Sequence, residues 1–100
     1  MHKRTKALSI SKAVKEAVYA RDSGICVVCG KSGDPVAHYI SRAQGGLGIE
    51  QNIVTLCPSC HRIYDQSPKR EILRSVIRNY LKNHYQNWDE RKLIYRKYGG

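Results

Sequence analysis

One hundred residues carry 18 Lys/Arg against 8 Asp/Glu, a formal net charge of +10. That length predicts a single domain, 1–100, with a modest core that a metal cross-link would reinforce. No run reaches the roughly 20 apolar residues of a membrane span, and the basic opening "MHKRTKALSISK" lacks the apolar stretch of a secretory signal. The expectation is a soluble cytoplasmic protein with no membrane partner.

The charge is unevenly spread. Residues 1–21 hold six Lys/Arg against one Glu, residues 22–61 two basic against three acidic, and residues 62–100 ten basic against four acidic. A near-neutral centre between two basic arms suits a module whose flanks grip a polyanion while the centre acts locally. A merely solvated basic surface is the plain alternative.

Within the basic N-terminal segment 1–21, "SKAVKEAVYAR" puts Val14, Ala17, Val18 and Arg21 at helical spacing, with Lys12, Lys15 and Glu16 on the other face. "DSG" stops that helix. "ICVVCG" reads as a turn between short extended segments, with Gly30 as the permissive residue past its second cysteine. "PVAHYI" reads as a strand, "SRAQGGLGIEQN" as a loop and "IVTL" as a second β-branched strand. Helix is predicted from Cys57-Pro58 to about Asp65, because proline suits a first turn.

Ser67-Pro68 is predicted to cap and open the next helix, in the basic C-terminal extension 67–100. Its apolar stripe would be Ile72, Leu73, Val76, Ile77, Tyr80 and Leu81, with Lys69, Arg70, Arg74, Arg78 and Lys82 largely off it. "WDERKLIYRKY" predicts one more short helix, whose Trp88 and tyrosines pack onto a core without phenylalanine.

Two C-x-x-C pairs, Cys26/Cys29 and Cys57/Cys60, lie 27 residues apart. In a reducing compartment this pattern is a metal site rather than two disulfides. Two such turns complete the tetrahedral shell of Zn²⁺ and leave no open position, so the zinc would be structural. Four thiolates make His61 superfluous there. If Cys60 faces the zinc, His61 points roughly 100° away along a helix, on the face of Asp65 one turn later. A His and an Asp so placed can share a second, harder cation.

With those residues in view, "RDSGICVVCG … VAHYISRAQGG … NIVTLCPSCHRIYD" resembles the HNH endonucleases, the zinc-containing ββα-metal (His-Me finger) nucleases of phage or mobile-element type. The resemblance covers residues 20–66. It implies an α+β fold with a small zinc-stabilised, treble-clef-like ββα-metal core between N- and C-terminal helices. It also implies a metal-dependent endonuclease that nicks or cuts DNA, with double-stranded DNA the expected partner, leaving a 5′-phosphate and a 3′-hydroxyl. Matched position by position, His38 would be the general base, suited by a pKa near working pH. Asn52 would hold the loop and the base. His61 would bind a catalytic divalent cation, Mg²⁺ or a transition metal, with Asp65 as a further ligand.

Arg42, four residues after His38, is a candidate phosphate clamp, and Arg74 and Arg78 are candidate phosphate contacts on the C-terminal helix. Against these stand a structural strand histidine at His38 and solvated surface side chains at Arg42 and Asp65. One position departs from the family: where Asp or His usually supplies a ligand before the base, this chain has Ala37. Ala37→Asp would then be expected to supply a ligand facing His61. The runner-up function is a zinc-bearing nucleic-acid-binding module of the same fold without catalysis. A basic protein-interaction adaptor is a third class, which leaves His38, Asn52 and His61 without a role.

Overall fold

The computed structural model describes residues 3–96. Its elements are α1 (Lys3–Leu8), α2 (Lys12–Asp22), β1 (Asp34–His38), β2 (Ile53–Leu56), α3 (Pro58–Gln66) and α4 (Arg70–His84), with 3₁₀ turns at Arg42–Gln44 and Glu90–Leu93. This is the expected α+β arrangement. The N-terminal basic segment, however, is two helices rather than one. Ser11 is extended and its hydroxyl accepts the Val14 amide at 3.1 Å. An N-cap of that kind competes with helix continuation and starts α2 afresh.

α2 presents Val18 to the interior, and next to it an ion pair that the helical pattern did not anticipate. Arg21 Nε lies 2.7 Å from Asp22 Oδ1. Its other nitrogens donate to the carbonyls of Glu50 (2.8 Å) and Ile53 (2.7 Å) and to the Tyr85 hydroxyl (2.8 Å). Asp22 also accepts the Thr55 amide at 3.0 Å and the Tyr80 hydroxyl. One pair thus ties α2 to β2 and α4.

The cysteine turn after α2 closes through Gly30 N–H to Cys26 O (3.0 Å), with Gly30 at φ +83°, a conformation that a Cβ disfavours. β1 and β2 form a two-stranded antiparallel sheet pairing Ala37 with Val54 and His38 with Ile53. All four residues of β2 are buried, so its β-branched side chains pack on both faces. β1 ends at His38, two residues before the predicted end. Beyond it Tyr39 N–H still bonds Asn52 O (2.7 Å), and the Asn52 side chain replaces a strand as partner for Ile40.

The core gathers Tyr39, Ile40, Val54, Leu56 and Tyr64 with one face of α4. That face is narrower than the predicted stripe. Leu73, Ile77 and Leu81 are buried, whereas Ile72 is 66% and Val76 39% exposed. Ser67 and Pro68 precede α4 rather than open it. Ser67 O accepts the Arg70 amide and Ser67 Oγ the Lys69 amide, both at 3.1 Å, which turns the chain before the helix begins. The final predicted helix is a single 3₁₀ turn. Trp88 packs on Tyr39 with ring centroids 5.7 Å apart and donates to Gln51 O at 2.9 Å. Tyr98 lies outside the described residues.

Candidate active site

The sulfurs of Cys26, Cys29, Cys57 and Cys60 all lie within 4.8 Å of one another. A tetrahedral zinc with Zn–S near 2.3 Å requires sulfur–sulfur edges of roughly 3.8 Å, so the four donors fit that ion. Local backbone prepares them. Cys57 is the N-cap of α3, and its sulfur accepts the Cys60 amide at 3.4 Å, which holds the Cys57 thiol below its ordinary value. The amide of Cys29 points at the Cys26 sulfur in the same way. Among the described residues no other group of three or more His, Cys, Asp or Glu side chains is placed to hold a metal.

Directly after Cys60, His61 turns outward and meets Asp65, with Nε2 and Oδ2 3.5 Å apart. Both side chains are partly exposed, at 35% and 57%. Adjacent ligand atoms on Mg²⁺ sit about 3 Å apart for bonds of 2.0–2.1 Å. A small closure of this pair would bring both onto one cation, so the two residues fit a thinly held divalent ion.

His38 closes β1 and is half-buried. Its Nε2 lies 2.9 Å from the carbonyl of Leu8. A carbonyl can only accept, so Nε2 carries the proton and Nδ1 keeps a lone pair. Burial lowers the pKa of His38 below the ordinary histidine value, and the charges of Arg42 and His61 push it the same way, against the opposing effect of the Leu8 carbonyl. The ring is therefore neutral near pH 7.

Asn52 is wholly buried. Its Oδ1 accepts Ile40 N–H at 2.8 Å, and its Nδ2 donates to Ile40 O at 3.1 Å and Leu47 O at 2.8 Å. Every bond tethers the loop that follows His38. Arg42 stands exposed at the start of that loop, near enough for its charge to act on His38.

Arg74 and Arg78 lie on α4, against the C-terminal turn. Both face Glu90, at 3.7 and 3.9 Å, and the Arg74 guanidinium lies 4.9 Å from the centroid of Tyr39. Arg74 is thus engaged within the protein. Ala37 is 1% exposed and packs in the core. That corrects the expectation for Ala37→Asp, since a carboxylate there would be desolvated among apolar groups before it met a cation. The Leu8 carbonyl escaped sequence reasoning because a backbone acceptor carries no side-chain signal. Arg21 was legible only as an odd member of an apolar face.

Residues 26–66 match the family model described as HNH endonuclease. That segment is what the chain shares with the HNH family. It contains all four cysteines together with His38, Arg42, Asn52, His61 and Asp65. The chain is also 39% identical over 59 residues to the Type IV methyl-directed restriction enzyme EcoKMcrA of Escherichia coli (strain K12), covering 49% of this chain and 21% of that enzyme. The structure of the Type IV phosphorothioation-dependent restriction endonuclease ScoMcrA shares its fold, with a TM-score of 0.60 and 20% identity over 74% of this chain and 16% of that one. The chain spans about a fifth or less of either relative's length. No helix of its described residues is long and apolar enough to cross a membrane.

Proposed function

We propose that this HNH domain is a metal-dependent DNA endonuclease in which His38 is the general base. The observation that carries the reading is the Nε2 contact to Leu8 O, which leaves the Nδ1 lone pair of a neutral imidazole to take a proton from water. Burial and the positive neighbour Arg42 lower the pKa of that ring. Asn52 holds the loop after the base through its bonds to Ile40 and Leu47. Arg42 offers a two-pronged donor for phosphate oxygens beside the base. His61 and Asp65 would hold the divalent cation, Mg²⁺ or a transition metal, which when bound supplies charge stabilisation at the phosphate and the leaving 3′-oxygen. The net charge of +10 favours approach to a polyanion and suits double-stranded DNA as substrate.

A second reading, a DNA-binding module without catalysis, is favoured by one observation: the residue before the base is a buried alanine, which adds no ligand to His61 and Asp65. Incubation of supercoiled plasmid with Mg²⁺, Mn²⁺ or Ni²⁺ separates the two. We expect nicking by the parent, a loss of at least about 100-fold in His38→Ala, and DNA affinity within a few-fold of the parent. Binding without nicking under every cation would select the second reading. Equal nicking by His38→Ala would remove His38 from its role.

A further inference from the structure

The contact on His38 comes from outside the segment that matches the HNH family. α1 ends at Leu8, and the last carbonyls of a helix have no partner within it. Here two of them bond to the nuclease core. Ala7 O accepts Gly48 N–H at 3.0 Å, and Leu8 O takes the Nε2–H of His38 at 2.9 Å. The Leu8 side chain is 2% exposed, so the arm is seated rather than lying loosely on the surface. Arg4 adds a 3.4 Å bond to the carbonyl of Arg42. Gly48 makes the close approach possible: a Cβ there would sit 2.1 Å from Ser9 O and 2.9 Å from Leu8 O.

We infer that the N-terminal arm, residues 3–9, is a positioning element of the active site: docked backbone-to-backbone on Gly48, it fixes the ring of His38 with Nδ1 free. The inference rests on the assignment of His38 as base, but the geometry it invokes exists whether or not the protein cleaves DNA. His38 is the last residue of β1, where a bond to one ring nitrogen selects the orientation of the imidazole. Leu8 O holds it, and nothing in the 26–66 segment duplicates that bond among the described residues. Docking this close leaves no room for a side chain at residue 48. The HNH core would then fold around its zinc with the arm displaced, and lose catalytic competence without losing the fold.

The test displaces the arm from each side of the contact. Gly48→Ala pushes on Ser9 and Leu8 from the loop, and Leu8→Ala removes the buried anchor from the arm. In full-length, zinc-loaded protein, ¹H–¹⁵N spectra optimised for imidazole are expected to show the His38 Nε2–H of the parent as a resonance protected from solvent exchange. Both variants should lose that resonance while keeping one zinc and the parent's helical circular dichroism. Plasmid cleavage should fall in kcat by about 10- to 100-fold, as for a misplaced reacting group, with DNA affinity within about two-fold of the parent by the same reasoning that a base acts on the transition state. Absence of the protected Nε2–H in the parent would overturn the inference, as would its persistence in both folded variants. A protected Nε2–H in a protein that binds but does not cleave DNA would instead sink the nuclease reading and leave the docking intact.

Discussion

Cys60 and His61 are consecutive on α3 yet face different chemistry: Cys60 is buried in the four-sulfur cluster, and His61 reaches across the outer face to Asp65 at 3.5 Å. The roughly 100° step of an α-helix separates them. One turn of helix therefore joins a four-sulfur cluster fit for a metal to the His61–Asp65 pair.

The zinc prediction follows from that coupling. Binding of a structural zinc is worth about 10 kcal/mol or more in small domains, comparable with the whole stability of a fold at roughly 5–15 kcal/mol. Chelation is expected to unfold the protein cooperatively, and Cys29→Ser and Cys57→Ser should each lose the metal and the fold together. Elemental analysis with circular dichroism checks this. A folded, metal-free variant would refute it.

Asn52 makes three side-chain hydrogen bonds from a wholly buried position. Asn52→Ala strands the partners on Ile40 and Leu47 and should cost about 3 kcal/mol, each unmet buried group being worth roughly 1–3 kcal/mol. Asn52→Asp should be no milder, because a carboxylate oxygen would face the carbonyls of Ile40 and Leu47. Urea unfolding measures both, and a loss under about 1 kcal/mol would contradict the tether.

Asp22 should make the stability of the fold sensitive to acid. Burial pushes its carboxyl up, but the bonds from Arg21, Tyr80 and Thr55 outweigh burial and hold it below the ordinary 3.8. A carboxyl depressed in the folded state contributes stability that is fully present above its unfolded pKa and is lost as pH falls through the folded value. Stability should therefore be flat near neutral pH as far as Asp22 is concerned and decline below about pH 4. Asp22→Asn leaves Arg21 uncompensated and should cost about 3 kcal/mol at pH 7 while flattening that decline. Denaturation at pH 7 and in the acid range tests the pair, and an unchanged acid slope would count against it.

Arg42 and Arg74 should separate in a binding experiment. Arg42 is exposed near His38, so Arg42→Ala is expected to weaken DNA binding and reduce the salt slope by about one. Arg74 lies over Tyr39 and faces Glu90. Arg74→Ala should cost about 1 kcal/mol of stability and leave the salt slope nearly unchanged. The reverse pattern would move the DNA contact from the loop to α4.

Much of this protein was legible in its sequence because the signals are local. Paired C-x-x-C spacing marks a four-sulfur metal site, proline marks the start of α3, β-branched residues mark β2, and the motif spacing carries the resemblance to the HNH endonucleases. Local signals failed where partners lie far apart in the chain. Ile72 and Val76 keep helical period but stay exposed, because only the packing of α4 decides how wide its buried face is. Arg74 looks like a free cation until Glu90 and Tyr39 come to it. The ring of His38 is oriented by Leu8, 30 residues earlier, through a carbonyl that every residue type possesses. Residue types and their spacing determine which groups are available to a site. Only tertiary structure decides which of them meet, because a backbone acceptor or a distant counter-ion leaves no periodicity to read.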